Sequence, residues 1–219
     1  EARAAIVDWQ SEARGAVAQF ERALVELRAG GGDISDGATS TAEGAPPPTP
    51  LPEGPLVLLT GATGFLGAFL LAELVRLRVA PHVVCLVRGA DDVNARERLS
   101  AAMDSYGLWD AHVAACVVVL AADVAVGPSL GLRWRLLRTV GAHAILVVHA
   151  AAQVSSALPY TALRATNVGG TAHVAALALH AGARLLHIST LGFVDAGHAE
   201  TLEVKTSSFA CRSGYAQSK

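Results

Sequence analysis

Five short runs of Val, Leu and Ile, nearly free of charge, constrain this chain more than any other feature: LVLLT (56–60), HVVCLVR (82–88), CVVVLAAD (116–123), AILVVHAAA (144–152) and RLLHIST (184–190). None shows the apolar–polar alternation of a strand with one wet face, so each needs cover on both faces. The stretches between them carry helical spacing, at about 65–77, 93–103, 132–140 and 162–180. Strands buried on both sides and separated by helices are the pattern of a parallel sheet with helices on each face. The expectation is an α/β fold with a doubly wound, Rossmann-type sheet. Right-handed crossovers give strand order 3-2-1-4-5 and put a ligand crevice at the carboxyl ends of the first and fourth strands.

The first run leads into TGATGFLGAFLLAEL, with glycines at 61, 64 and 67. Gly61 permits a tight turn off the strand, Gly64 lets backbone approach a pyrophosphate, and Gly67 lets the next helix lie close to the sheet. With Thr60, Thr63, Phe65 and Leu66 they form a turn expected to hold a dinucleotide, its phosphates meeting free amides at the positive end of a helix. The second strand ends at Arg88; an acid there would grip the 2′-hydroxyl of NAD, whereas arginine suits the 2′-phosphate of NADPH. Arg98 or Arg96 on the following helix could add a second cation. Asp123, with Val124 beside it, ends the third strand where an adenine amino group could be accepted, or where a turn could be capped.

The chain closes on GYAQSK, and lysine is scarce: Lys205 and Lys219 are the only two among 17 basic residues. On a helix, Tyr215 and Lys219 share one face. An ammonium ~5 Å from a phenol, at an effective dielectric of ~20, favours the phenolate by roughly 3 kcal/mol. That suits a proton donor to a carbonyl being reduced, and Thr190, at the end of the fifth strand, would complete the contact to the oxygen, with Ser189 on the other face.

Residues 1–29 place Ile6, Trp9, Ala13, Val17, Phe20, Leu24 and Leu27 at spacings of three and four, an amphipathic helix expected to pack on the domain or dock elsewhere rather than form a coiled coil around Gly15. Residues 30–55, rich in Gly, Ser, Thr and Pro, read as a flexible linker, leaving 56–219 as the NADP-binding domain. A net charge of −2 argues against a polyanion binder, so no nucleic-acid partner is expected. Three cysteines without a CxxC pair and eight scattered histidines point to a reducing, cytoplasmic compartment and no metal. No apolar run reaches ~18 residues, so no membrane insertion is expected. Starting at Glu1 rather than Met, the chain reads as a segment of a longer multidomain protein.

TGATGFLGAFLLAELVR, CLVRGADD…RERL, SYGLWD, VVHAAAQVSSALPYTALRATNVGGT and HISTLGF together resemble the thioester reductase domains, extended short-chain dehydrogenase/reductases that terminate nonribosomal peptide and polyketide synthases and occur in carboxylic acid and aminoadipate reductases. The resemblance covers about 55–219. It implies NADPH-dependent reduction of an acyl thioester, held on a phosphopantetheinyl carrier protein, to an aldehyde and sometimes onward to an alcohol. It further implies that Thr190 and Tyr215 hold the carbonyl oxygen, that Tyr215 supplies a proton, and that Lys219 also bonds the nicotinamide ribose. Ala151 and Ala152 would line the cofactor, and Asn167 would anchor the active-site helix or bond another helix. It also implies further strands and a smaller substrate-binding region beyond Lys219. Ala122-Asp123-Val124 stands where the family commonly has Gly-Asp-Leu, and Val154-Ser155 where it often has Val-Asn. Two other readings share these residues: an NAD-dependent sugar-nucleotide epimerase or dehydratase, and a nucleotide-binding docking module that works through its first helix.

Overall fold

The computed structural model describes residues 9–29, 51, 53–190 and 214–218. Ile6, residues 30–50 of the expected linker, and Lys219 lie outside them. Strands β1 (Leu56–Thr60), β2 (His82–Val87), β3 (Val117–Ala121), β4 (Ala144–His149) and β5 (Arg184–His187) form one parallel sheet in the order β3-β2-β1-β4-β5. This is the order that the run-and-helix pattern implied.

Alternation along β1 shows why its first four residues are all apolar. Leu56 and Leu58 enter a core on one face of the sheet, Val57 and Leu59 a second core on the other. The second core is covered by α2 (Phe65–Arg76), α3 (Asp92–Asp104) and α4 (Ala111–Cys116), through Leu71, Val75, Leu99, Met103 and Val113. The first is covered by α5 (Trp134–His143) and α7 (Gly170–Ala181), through Leu137, Val140, Val174 and Leu177. Helix α1 (Trp9–Ala29) lies along the outside of α7 and buries Ala23 and Leu27 there. Of the arrangements open to an amphipathic helix, packing on the domain is the one adopted.

Three elements depart from the sequence reading. Strand β5, expected to be covered on both faces, leaves Leu185 and Leu186 exposed at the edge of the sheet. The expected third strand begins a residue late, because Cys116 closes α4 instead, a helix capped by the Asp110 carboxylate accepting from the Val113 amide at 2.7 Å. The single long helix expected over 162–180 is three pieces: α6 (Tyr160–Arg164), a π turn (Ala165–Gly169) and α7. Helix α7 ends on Gly182 in the left-handed conformation, φ 65°, which glycine adopts without strain. Past β5, the short helix α8 (Gly214–Ser218) returns to the sheet's carboxyl edge.

Candidate active site

A cleft of about 540 Å³ opens above the carboxyl ends of the strands, bounded by Thr60–Gly61 after β1, Val87–Arg88 after β2, Ala122–Val124 after β3, Ala150–Val154 after β4 and Ile188–Ser189 after β5. Tyr215 of α8 and Thr166 of the π turn close it.

The glycine turn is shaped by close approach. Gly61 has φ 78°, and a Cβ on it would stand 2.5 Å from the Ala150 carbonyl carbon and the Ala151 nitrogen. A Cβ on Gly67 would collide with the Gly61 carbonyl, so helix and turn can lie this close only with glycine at both positions. The Gly64 amide donates to the Gly61 carbonyl at 3.0 Å, and α2 begins at Phe65 with no side-chain cap and no acid in its first turn. Its first amides face the cleft unclaimed by any side chain, a cradle for a phosphate. Thr63, Gly64, Phe65 and Leu66 all line the opening.

At the tip of β2 the charges are sorted. Asp91 caps α3 by accepting from the Asn94 amide at 2.8 Å, and Asp92 accepts from the Ala121 amide at 2.7 Å. Asp91 is thus engaged in capping α3 and Asp92 in joining it to β3, and Arg88 is the charged side chain presented to the cleft at this tip. Arg98 does not line the cleft; its Nη1 donates to the Arg88 carbonyl at 2.7 Å and braces the tip from outside. Arg96 points elsewhere, to the Val117 and Ala114 carbonyls and over the Trp109 ring. Asp123 lines the cleft while its Oδ1 accepts from the Ala125 amide at 2.9 Å, so it caps a turn as well as facing the ligand space.

A buried polar chain underlies the site. The Thr60 hydroxyl is 2.7 Å from His149 Nδ1 and accepts from the Ala151 amide at 3.2 Å. His149 Nε2 is 3.1 Å from the Thr171 hydroxyl, which in turn donates to the Asn167 carbonyl at 2.5 Å. With the Thr171 hydrogen committed to Asn167, the histidine carries its proton on Nε2 and receives the Thr60 hydrogen at Nδ1. Asn167, buried in the π turn, accepts from the Gln153 amide at 2.7 Å and donates to the Gln153 carbonyl at 3.1 Å and the Ser218 hydroxyl at 2.7 Å. It therefore fixes the strand-four loop and α8 together.

Tyr215 of α8 lines the same cleft as the glycine turn. Lys219 follows outside the described residues. Thr190 does not line the cleft; Ser189 does. The strand ends at His187, three residues before Thr190, so the two-residue alternation that assigned faces to Ser189 and Thr190 no longer operates there. Ala151 and Ala152 line the cleft as small side chains. Sequence reasoning missed Gln153 and Thr166 on the wall, and Gly214 and Ser218, which seat α8. The Gly-Tyr pair of SGYAQSK carried the only signal for Gly214.

Among the described residues no helix is long and apolar enough to cross a membrane. The family of NAD-binding domains described as male sterility protein matches residues 59–219. The nonribosomal peptide synthetase cpsA of Aspergillus campestris is 35% identical over 187 residues, 80% of this chain and 18% of that protein. The terminal R domain of the myxalamid PKS-NRPS pathway superposes with TM-score 0.64 at 31% identity, covering 89% of this chain and 50% of that one. The reductase domain of a Mycobacterium tuberculosis nonribosomal peptide synthetase gives 0.63 at 34% identity, over 78% and 43%. This chain thus spans under a fifth of that synthetase and half or less of the two solved domains. It belongs to the male sterility protein family of NAD-binding domains, homologous to the reductase domains of nonribosomal peptide synthetases.

Proposed function

We propose that this chain is the NADPH-binding part of a reductase that converts an acyl thioester, presented on the phosphopantetheine arm of a carrier protein, to an aldehyde and free thiol. The observation that carries the reading is one cleft lined both by a close-packed glycine turn at the uncapped start of a helix and by Tyr215. The uncapped start of α2 and the space left by Gly61 and Gly67 fit a dinucleotide. Arg88 at the tip of β2, with Asp91 engaged in capping α3 and Asp92 in bonding β3, favours the 2′-phosphate of NADPH over a bare ribose. A bound reduced nicotinamide supplies the hydride. Tyr215 is assigned as proton donor to the carbonyl oxygen, the hydroxyl pair Ser189 and Thr190 as its second contact, and Lys219 as the cation that steadies the phenolate. The small Ala151 and Ala152 let a ribose approach the sheet. The relatives are synthetase domains, which supports a carrier-borne substrate and a place in a larger assembly.

The test is NADPH oxidation by the full-length protein with an acyl-pantetheine thioester, beside Tyr215→Phe. The variant is expected to lose about 10²-fold or more in kcat while NADPH affinity holds. A phenylalanine variant that kept its rate would remove Tyr215 as the acid. Preference for NAD, with turnover of a sugar nucleotide and none of the thioester, would favour the epimerase reading.

A further inference from the structure

Helix α8 has five residues, too few to hold itself in water. Its position is set from outside. A Cβ on Gly214 would stand 2.5 Å from the Leu158 carbonyl oxygen and the Tyr160 amide nitrogen, so α8 begins pressed against the start of α6. At its other end Ser218 accepts from Asn167 and donates to the Tyr215 carbonyl at 2.8 Å.

Helix α6 is itself five residues, entered from Pro159 with no side-chain cap. What holds it comes from α1. A single carboxylate oxygen, Glu12 Oε2, accepts from the Tyr160 hydroxyl at 2.9 Å and from Arg164 Nε at 2.6 Å. Tyr160 and Arg164 are one helical turn apart, so this one atom grips both ends of α6. The fit continues along α1. A Cβ on Gly15 would meet Arg164 Nη2 at 3.4 Å, and a Cβ on Gly169 would meet Gln19 Nε2 at 2.8 Å. Gln19 lies 3.0 Å from His173 Nε2, and His173 Nδ1 donates at 2.8 Å to the carbonyl of Val124, a residue of the cleft wall. Gly169 thus leaves room for Gln19 of α1, and α1 side chains reach both Arg164 beside the seat of Tyr215 and, through His173, the carbonyl of Val124 on the cleft wall.

We infer that α1 is a strap across the back of the site and that Glu12, through α6, is a positioning residue for Tyr215. Its meaning for catalysis rests on the reductase reading; the mechanical link does not.

The deciding experiment is amide hydrogen exchange, by mass spectrometry, on the full-length protein and its Glu12→Ala, Glu12→Gln and Tyr160→Phe variants. Glu12→Ala is expected to quicken exchange at least tenfold across 160–164 and 214–218 while β1 to β4 keep their rates. Glu12→Gln, whose amide oxygen still accepts both bonds, restores most of the protection, and Tyr160→Phe falls between. Exchange at 214–218 that is unchanged, that is unprotected already in the wild type, or that quickens uniformly with the strands would each overturn the strap. In the thioester assay, Glu12→Ala lowers kcat at least tenfold with NADPH affinity within twofold. The same substitution on a Tyr215→Phe background costs no more than twofold, because a displaced phenol cannot be lost twice. A tenfold further loss on that background would mean that Glu12 acts elsewhere. A protein that reduces no thioester would sink the function and still leave the exchange result to decide the strap.

Discussion

Tyr160 is buried beside a carboxylate. Desolvation, and then its hydrogen bond to Glu12, pushes its phenol up to about 12 from the ordinary ~10. A group whose value is raised on folding stabilises fully below its unfolded value and loses that contribution as pH rises through the folded one. Denaturant midpoints are therefore expected to fall between pH 10 and about 12, and to fall less steeply in Tyr160→Phe; parallel profiles would refute the assignment. At this scale the glycine triplet was legible because its jobs follow from having no side chain. The pairing of Glu12 with Tyr160 and Arg164 was not, because residues 148 and 152 positions apart share no local pattern. Which of Ser189 and Thr190 faces the cleft was not legible either, because a face assignment by alternation holds only while the strand lasts, and β5 ends at His187.

The π turn is the element that most shapes the site. Its extra residue per turn brings Asn167 inward against Gln153 and Ser218, where an uninterrupted α-helix would have carried the side chain past them. Removing the amide leaves the buried Ser218 hydroxyl and the Gln153 amide without that partner. Asn167→Ala is expected to lower unfolding free energy by about 1–3 kcal/mol in urea titrations. An unchanged midpoint would mean that water replaces the amide at no cost. Nothing in composition announces such a turn, since ATNVG is compatible with continuous helix on either side, and the 162–180 pattern read as one element. Strands β1 and β2 were read more closely because burial on both faces demands an unbroken apolar run; β5, read the same way, leaves Leu185 and Leu186 exposed at the sheet edge. Helix α4 escaped because six residues ending in AAC merge with the valines of β3.

Across the whole molecule, sheet order and crevice position follow from chirality and pattern, and both are as the sequence implied. On the proposed reading, the choice between phosphorylated and bare ribose falls to Arg88 at the rim of the cleft. Thermal shift should show NADPH raising Tm more than NADH at equal concentration, with Arg88→Ala bringing the two together; at a hundredfold over Kd the gain is worth about 2.7 kcal/mol. Equal shifts in the wild type would discard Arg88 as the discriminator. The buried chain from Thr60 through His149 and Thr171 to Asn167 has a further consequence. It ties the floor of the glycine turn to the backbone that carries Asn167, and hence to α8. Reshaping the glycine turn and repositioning α8 are therefore not independent engineering problems: substitutions at Thr60 and at Asn167 are expected to be epistatic.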